Sequence, residues 1–542
     1  MAKKVVIVGG GTAGWMTASH LKKALPGIDI TLIESSNIKT VGVGEATFST
    51  IKLFFDFLGL DESEWMPSCN AAYKLAIKFN GWRADGGHFF HPFQRYDIVD
   101  GFNLGEWWLK LKRHEEPFDH ACFVIPAMCN AQRSPRFLDG RVFDDKVQDY
   151  FAVDLQGKKN ILAEHRVQYP YAYHFDASLL ANFLKGYATQ RGVRQVVDDV
   201  AEVVLRDDGS IDRLVTKEHG TLEGDLFVDC TGFRGLLINQ ALKEPFTSFS
   251  SSLLCDSAVA MQVPRDVATH GIDPFTSASA LSAGWVWNIP LYGRVGTGYV
   301  YSSKYQTREG AEAELRRHLG PPAEGLRANH INMRIGRCQR SWVKNCVAIG
   351  LASGFVEPLE STGIFFIQNG IEELVNHFPG AVPDPGTVAS YNRVVGDVID
   401  GVRDFLILHY RTSDRVDNEF WQATKRVEVS AELGERLELW KQRLPNGRNI
   451  NPRFHGFESY SYSVMLLGLN YRPESSLPAL DHIGPERALH TFRTLRERAQ
   501  RLVATLPSQY EYLTHVRAKT GVAMDRIVLP PAEAPAAAAA MP

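Results

Sequence analysis

Four groups of residues in this chain have the type and spacing to do chemistry. The first is Glu357-Pro358-Leu359-Glu360-Ser361-Thr362-Gly363. Behind it Ile364, Ile367, Ile371, Leu374 and Phe378 recur every three or four positions, which predicts a helix from near Ser361 with one buried face. Ser361 or Thr362 is expected to cap its first N–H groups, and Gly363 lets another group approach the backbone closely. A helix start offers partial positive charge and unsatisfied donors, the surroundings a small anion needs. Glu360 stands just before it as an acid or base. Alone, the pattern equally describes a capped helix after a loop.

The second group is Tyr73-Lys74-Leu75-Ala76-Ile77-Lys78-Phe79, whose period-two alternation predicts a strand with Lys74 and Lys78 on its less apolar face. The third is Ala283-Gly284-Trp285-Val286-Trp287-Asn288-Ile289-Pro290, which puts two indoles on one side of a strand. The fourth is the small-residue loop Gly42-Val43-Gly44-Glu45-Ala46-Thr47-Phe48-Ser49, where Phe48 is the one large apolar group on an irregular strap.

The elements that must position these groups begin at the N-terminus. Val5-Val6-Ile7-Val8 reads as a short buried strand, succeeded at once by Gly9-Gly10-Gly11-Thr12-Ala13-Gly14 and a tightly packed helix. A second strand ends on Glu34, twenty positions past Gly14, where a ribose-binding carboxylate belongs. Gly9, Gly11 and Gly14, with Thr12 and Ala13, let a pyrophosphate onto the helix start, and Glu34 takes the ribose hydroxyls. Asp225 to Phe233 is a further apolar strand closing on a turn; it resembles the Thr-Gly segment of FAD-dependent oxidoreductases and marks Asp229 as a cofactor residue. Cys346-Val347-Ala348-Ile349-Gly350 resembles the strand that reaches the ribityl chain, although Gly350 is followed by Leu351 where those enzymes usually have Asp. Gly44, Glu45, Ala46 and Thr47 complete the expected cofactor set as a strap leaving the binding end of the sheet.

Length and composition set bounds. At 542 residues the chain exceeds a usual single domain, and 44% hydrophobic with 22% charged residues is ordinary for a soluble globular protein. The expected fold is α/β: a Rossmann-like FAD-binding domain of the flavin monooxygenase type over 1–374, with insertions near 80–165 and 245–345 forming a sheet-containing module. A mostly helical region continues over 375–528, and a Pro/Ala-rich tail over 529–542 is expected to be disordered. A net charge of -3 argues against nucleic acid or an anionic membrane as partner. The N-terminal apolar run is too short for a signal peptide, and no stretch of about 18 apolar residues exists to cross a membrane. The seven scattered cysteines, with no C-x-x-C, read as reduced thiols in the cytoplasm with no metal site.

Trp285, Trp287, Ile289 and Pro290 match the Trp-x-Trp-x-Ile-Pro pattern that separates flavin-dependent halogenases from flavin monooxygenases. Together with Gly9–Gly14, Gly42–Thr47, Tyr73–Phe79 and Pro358–Gly363, it makes the chain resemble a flavin-dependent tryptophan halogenase from residue 4 to about 515. Tyr73-Lys74-Leu75, Phe90-His91-Pro92-Phe93, Tyr171–Asp176 and His455–Glu458 look most like the tryptophan 5-halogenase branch. The resemblance implies that Lys74 is the essential lysine and Glu360 its partner carboxylate. It implies a halide at the Thr362 and Gly363 backbone, and an indole pocket lined by His91, Pro92 and Phe93 with Phe48 on the strap. Phe454, Glu458 and Tyr460 form an aromatic lid over the amino-acid end of tryptophan.

The expected activity is FADH2-dependent chlorination or bromination of free L-tryptophan on its benzene ring, at C5. Oxygen and reduced flavin would form a C4a-hydroperoxide, chloride or bromide would leave it as hypohalous acid, and Lys74 would present the oxidised halogen. Glu360 would stabilise the cationic arene or take its proton. With a single dinucleotide fingerprint, FADH2 is expected from a separate NAD(P)H-dependent reductase. Halogenation at C6 or C7 or of another indole, an aromatic flavin hydroxylase and a non-catalytic flavoprotein remain the alternatives, and the oligomeric state, a homodimer included, stays open.

Overall fold

The structure is a computed structural model that describes residues 3–37, 44–113, 115–144, 169–380, 382–450 and 457–521. Its first sheet has six strands in the order Arg194–Val197, Asp29–Glu34, Lys4–Val8, Leu226–Asp229, Cys346–Ala348, Trp342–Val343. All neighbours run parallel except the last pair. A parallel sheet covered on both faces needs unbroken apolar strands, which is why Val5–Val8 and Leu226–Val228 show no alternation. Helix Thr12–Ala24 packs on this sheet against helices Ala177–Thr189 and Gly363–Asn376. The glycine turn near the N-terminus and the Glu360–Gly363 segment, far apart in sequence, are thereby brought side by side.

The second sheet has seven strands, ordered Asn329–Asn332, Ser257–Pro264, Arg294–Tyr301, Gly284–Leu291, Phe275–Ala280, Ala76–Asn80, His88–Pro92. Five of these come from the 245–345 insertion. Among its described residues, the 80–165 segment supplies one strand of this sheet, His88–Pro92, together with a small hairpin and the short helices Leu104–Lys110, Phe118–Cys122 and Ile125–Asn130.

The alternating run Tyr73–Phe79 is not one strand. Ala72–Lys74 pairs with Ala172–Phe175 in a three-stranded sheet that also holds Glu45–Ala46, whereas Ala76–Asn80 belongs to the seven-stranded sheet. Leu75 is the joint, its N–H bonded to the Pro274 carbonyl at 2.7 Å and its carbonyl to the Phe93 N–H at 2.9 Å. The two lysines therefore part company. Lys74 is 0% exposed, while Lys78 lies over the Phe90 and Phe275 rings.

Among the described residues, the C-terminal region is helical: Pro385–Thr412, Glu419–Thr424, Ala431–Trp440, Ser459–Gly468, Glu486–Thr505 and Gln509–Thr520. The first begins with Pro385 inside an Asp384 cap, the favoured arrangement for a helix start. One apolar core runs from Val5 and Trp15 through Trp285 to Phe405 and Leu513, so this region is packed on the sheets and not appended to them. The tail 529–542 lies outside the described residues. All seven cysteines are buried and free. No described helix is long and apolar enough to cross a membrane, and no described group of His, Cys, Asp or Glu is arranged to hold a metal ion.

Candidate active site

A cavity of about 1330 Å³ opens where the Lys4–Val8 strand meets its helix. That exceeds the range of roughly 300–1,000 Å³ usual for small-ligand pockets and leaves room for a dinucleotide. Gly9, Gly11, Thr12, Ala13, Glu34, Gly44, Glu45, Ala46 and Gly350 line it. Helix Thr12–Ala24 starts at Gly11 with no side-chain cap, so its first N–H groups remain for an anion. A Cβ at position 10 would collide with the Glu34 carboxylate, and one at position 14 with the Gly9 carbonyl. Trp287 and Ile289 also line the cavity, and the buried Trp287 Nε1–H has no protein partner. Glu45 is pushed up to about 7 by burial, with the Asp176 carboxylate adding to it. The glycine turn, the uncapped helix start, the Glu34 carboxylate and the volume fit FAD.

Three expected cofactor residues do not line the cavity: Gly14, inside helix Thr12–Ala24, Asp229 and Thr47. Asp229 is fully buried behind the cavity wall; its oxygens accept from the Thr231 N–H and hydroxyl and from the Leu237 and Ile238 N–H groups. It therefore shapes the turn, and Cys230, Thr231 and Gly232 reach the cavity in its place. Thr47 faces Tyr173 and Lys74, not the cavity.

Ser361, Gly363 and Ile364 line the same cavity. The segment reaches it through the 3₁₀ turn Pro358–Glu360 and Ser361 at φ +61°, a left-handed conformation that is costly for a non-glycine residue. Contrary to the expected cap, neither the Ser361 nor the Thr362 side chain bonds the helix N–H groups of Gly363–Asn376. The Ser361 hydroxyl is taken by Lys74 Nζ at 2.8 Å, and the buried Thr362 Oγ1 has no partner. The helix start is thus left open to an anion.

Behind Ser361 lies a different compartment. Lys74 Nζ also donates to the Thr47 carbonyl at 3.1 Å and sits 5.0 Å from the centre of the Phe93 ring. Burial pulls its ammonium down to about 7, only partly opposed by Glu360. Glu360 is buried too. His91 Nδ1 lies 3.1 Å from both its oxygens and His409 Nε2 2.8 Å from Oε1. Burial by itself would raise this carboxyl, but the two imidazoles outweigh it and hold it down at about 2. The His91 Nε2 is buried without a partner.

Aromatic rings close this compartment. Phe48 meets Phe93 and Phe457 edge-on, at 5.8 and 5.3 Å between centres, and Phe457 stacks on Phe405 at 4.1 Å. Pro92 ends the strand that carries His91. Glu458 occupies the cap position of helix Ser459–Gly468 and is bidentate with Arg95, and the Tyr460 ring stands 6.2 Å from that of His91. Phe454 lies outside the described residues. None of Lys74, Glu360, Phe48, His91, Pro92, Phe93, Phe457, Glu458 or Tyr460 lines the dinucleotide cavity.

Sequence reasoning missed two members of the site. His409 was legible only as a position on the buried stripe of a helix. Glu357 had no role of its own in the motif, yet it accepts from Trp285 Nε1 at 2.9 Å and from the Tyr410 hydroxyl at 2.6 Å. That gives the paired tryptophans separate duties: Trp285 ties the sheet to Glu357, and Trp287 walls the cavity. Burial pushes Glu357 up to about 7.

The fold and cavity define a flavin-dependent oxidoreductase in which a buried lysine lies between the cavity lining and a cluster of aromatic rings. Residues 4–485 match the tryptophan halogenase family, and the chain belongs to it. It is 54% identical over 519 residues to tryptophan 6-halogenase SttH of Streptomyces toxytricini, covering 94% of this chain and 97% of that one. It is 53% identical over 521 residues to 7-chloro-L-tryptophan 6-halogenase KtzR of Kutzneria sp. (strain 744), covering 95% and 99%. The solved structure of SttH superposes with a TM-score of 0.90 over 95% of this chain and 99% of that one, at 54% identity. That of Tar14, a tryptophan C-6 flavin-dependent chlorinase from taromycin biosynthesis, superposes with a TM-score of 0.89 at 52% identity, over 95% of this chain and all of that one. The chain is accordingly an enzyme of flavin-dependent halogenation, a chemistry that uses FADH2, O2 and halide.

Proposed function

We propose that this enzyme halogenates free L-tryptophan at C6 of the indole. The observation that carries the reading is the Lys74–Ser361 contact, which joins the dinucleotide cavity to the aromatic slot. Support for tryptophan and for C6 comes from the names of SttH, KtzR and Tar14. The C5 expectation, drawn from local motifs around Lys74 and His91, finds no support among these relatives.

Reduced flavin with O2, when bound, supplies the oxidising equivalent that converts halide to an electrophilic halogen. The chain's residues do the rest. The open N–H groups at Thr362 and Gly363 hold the halide against the cavity. Ser361 and Thr47 fix Lys74 Nζ at the passage, where it presents the halogen to the arene. Phe48, Phe93 and Phe457 exclude water and orient the flat ring, so only the carbon held beside Nζ reacts. The Pro92 carbonyl takes the indole N–H. Glu360 faces the arene as a fixed negative charge and receives its proton. Glu458 and Arg95 meet the ammonium and carboxylate of the amino acid, which Tyr460 covers.

The deciding experiment supplies the enzyme with FAD, an unrelated flavin reductase, NADH, bromide and tryptophan, with 7-chlorotryptophan in parallel, and reads product mass and NMR. Bromine at C6 is expected, and no NADH or NADPH should be consumed by the enzyme alone. Oxygen in place of bromine, or efficient NADPH oxidation without the reductase, would move the reading to a hydroxylase. Bromine at C5 or C7 would overturn only the position.

Gly363 offers a local check on the halide site. A Cβ there meets no protein atom within 4 Å and enters the cavity beside the open helix start. Gly363→Ala should raise the bromide concentration for half-maximal rate about tenfold, the effect typical of one surplus methyl group in a small site. FAD binding, read by fluorescence quenching, should be unchanged. An unaltered bromide requirement would place the halide elsewhere.

A further inference from the structure

The last turn of helix Pro385–Thr412 grips the catalytic segment with two consecutive residues. Tyr410 donates to Glu357 Oε2, and His409 lies 2.8 Å from Glu360 Oε1, three positions on. The His409 ring is 0% exposed and is enclosed by Phe405 edge-on at 4.8 Å, Phe79 at 5.5 Å and Trp82 at 6.4 Å. Its Nδ1 is 2.7 Å from the Phe405 carbonyl, one helical turn back. A carbonyl oxygen only accepts, so Nδ1 carries a hydrogen. A neutral imidazole has just one, and its Nε2 would then turn a lone pair on the Glu360 carboxylate. Two acceptors 2.8 Å apart repel. A second proton must lie between them.

We infer that His409 is the positioning residue of Glu360: with Nδ1 committed to the helix, it holds the extra proton at Nε2, so that Glu360 meets the arene as an ionised carboxylate in a buried site. This rests on the proposed role of Glu360 and extends it to a residue to which that proposal gave no part. Among the described residues, the charged and titratable groups facing Glu360 are His91 Nδ1 from strand His88–Pro92, the Lys74 amine from strand Ala72–Lys74, His409 from its helix and Glu357 on its own segment. Only His409 has its tautomer fixed by a backbone carbonyl; the other His91 nitrogen is unpartnered. Without the His409 charge, burial, which favours the protonated carboxyl, is opposed mainly by His91.

The test uses the FAD-loaded enzyme and two variants. His409→Gln keeps a neutral N–H donor but no charge; His409→Phe removes both. In wild type, infrared spectra across pH 5 to 9, differenced against Glu360→Gln, should show no titrating carboxyl band from Glu360. In His409→Gln a protonated-carboxyl C=O band should appear at neutral pH and vanish in the His409→Gln/Glu360→Gln double variant. Its kcat should fall roughly 10- to 100-fold at pH 7 and recover as pH rises, with KM for tryptophan little changed. A merely structural role predicts pH-independent loss, equal in the Gln and Phe variants, and no new band; that outcome overturns the inference. So does a titrating Glu360 band in wild type, a result that needs no variant of His409 to fold. If Glu360→Gln itself kept full activity, the role of Glu360 would fail while the infrared result still reported on the pair.

Discussion

Lys74→Ala should abolish halogenation while leaving the enzyme folded and FAD bound. Its amine is the one described group that touches both the Ser361 edge of the cavity and the Phe93 wall of the slot. Loss of at least about 10³-fold in kcat is expected, within the range for a positioned proton-transfer or nucleophilic group. Substitution of Lys78, which only overlies Phe90 and Phe275, should cost far less. Wild-type activity in Lys74→Ala would sink the assignment. The pH profile then distinguishes what the lysine does. Its ammonium is pulled down to about 7, so the neutral amine predominates above that pH. In the neutral form two N–H groups satisfy the Thr47 carbonyl and the Ser361 hydroxyl, which leaves the lone pair free to bind halogen. The rate should therefore climb as pH rises through about 7 and level off. A rate that falls over the same interval would mean that the ammonium acts, as a hydrogen-bond donor.

Glu360→Gln should lower the rate at saturating halide by a factor of about 100, the scale of a general acid–base group. The bromide concentration for half-maximal rate should stay near its wild-type value. Both expectations come from one fact: Glu360 belongs to the aromatic compartment, bonded to His91 and His409, and does not line the cavity that Ser361 and Gly363 line. Neighbours in sequence act on different sides of a wall. A shifted bromide requirement with an intact saturated rate would show that the carboxylate serves halide oxidation.

The cofactor half of this site was legible in the sequence because its chemistry is local. A strand, a glycine turn, a helix start and an acid twenty residues on are set by chain geometry over short distances. Lys74, Glu360 and the Trp285 pair were legible as residue types in pattern. Their surroundings were not. Alternation from Tyr73 to Phe79 could not reveal that the run changes sheets at Leu75, because the change is made by Pro274 and Phe93, which lie outside the run. Nor could spacing show that Ser361 gives its hydroxyl to Lys74 and leaves the helix uncapped. His409 was hidden for the opposite reason: at an apolar position a buried histidine looks like core, and its partner is forty-nine residues back. Asp229 was misread because a carboxylate beside a cofactor strand can equally serve the turn that shapes the wall.

The wall between the two compartments has a consequence for engineering. Among the described residues, the aromatic rings around Lys74 and the residues that line the dinucleotide cavity are disjoint sets, and Lys74 reaches the cavity lining through Ser361. Evolution or a protein designer can therefore resculpt Phe48, Phe93, Phe457 or the Arg95–Glu458 pair to admit a bulkier arene without retuning the oxidising half. Libraries directed at those positions should yield altered scope and regiochemistry at nearly constant consumption of reduced flavin, the two traits varying as independent modules.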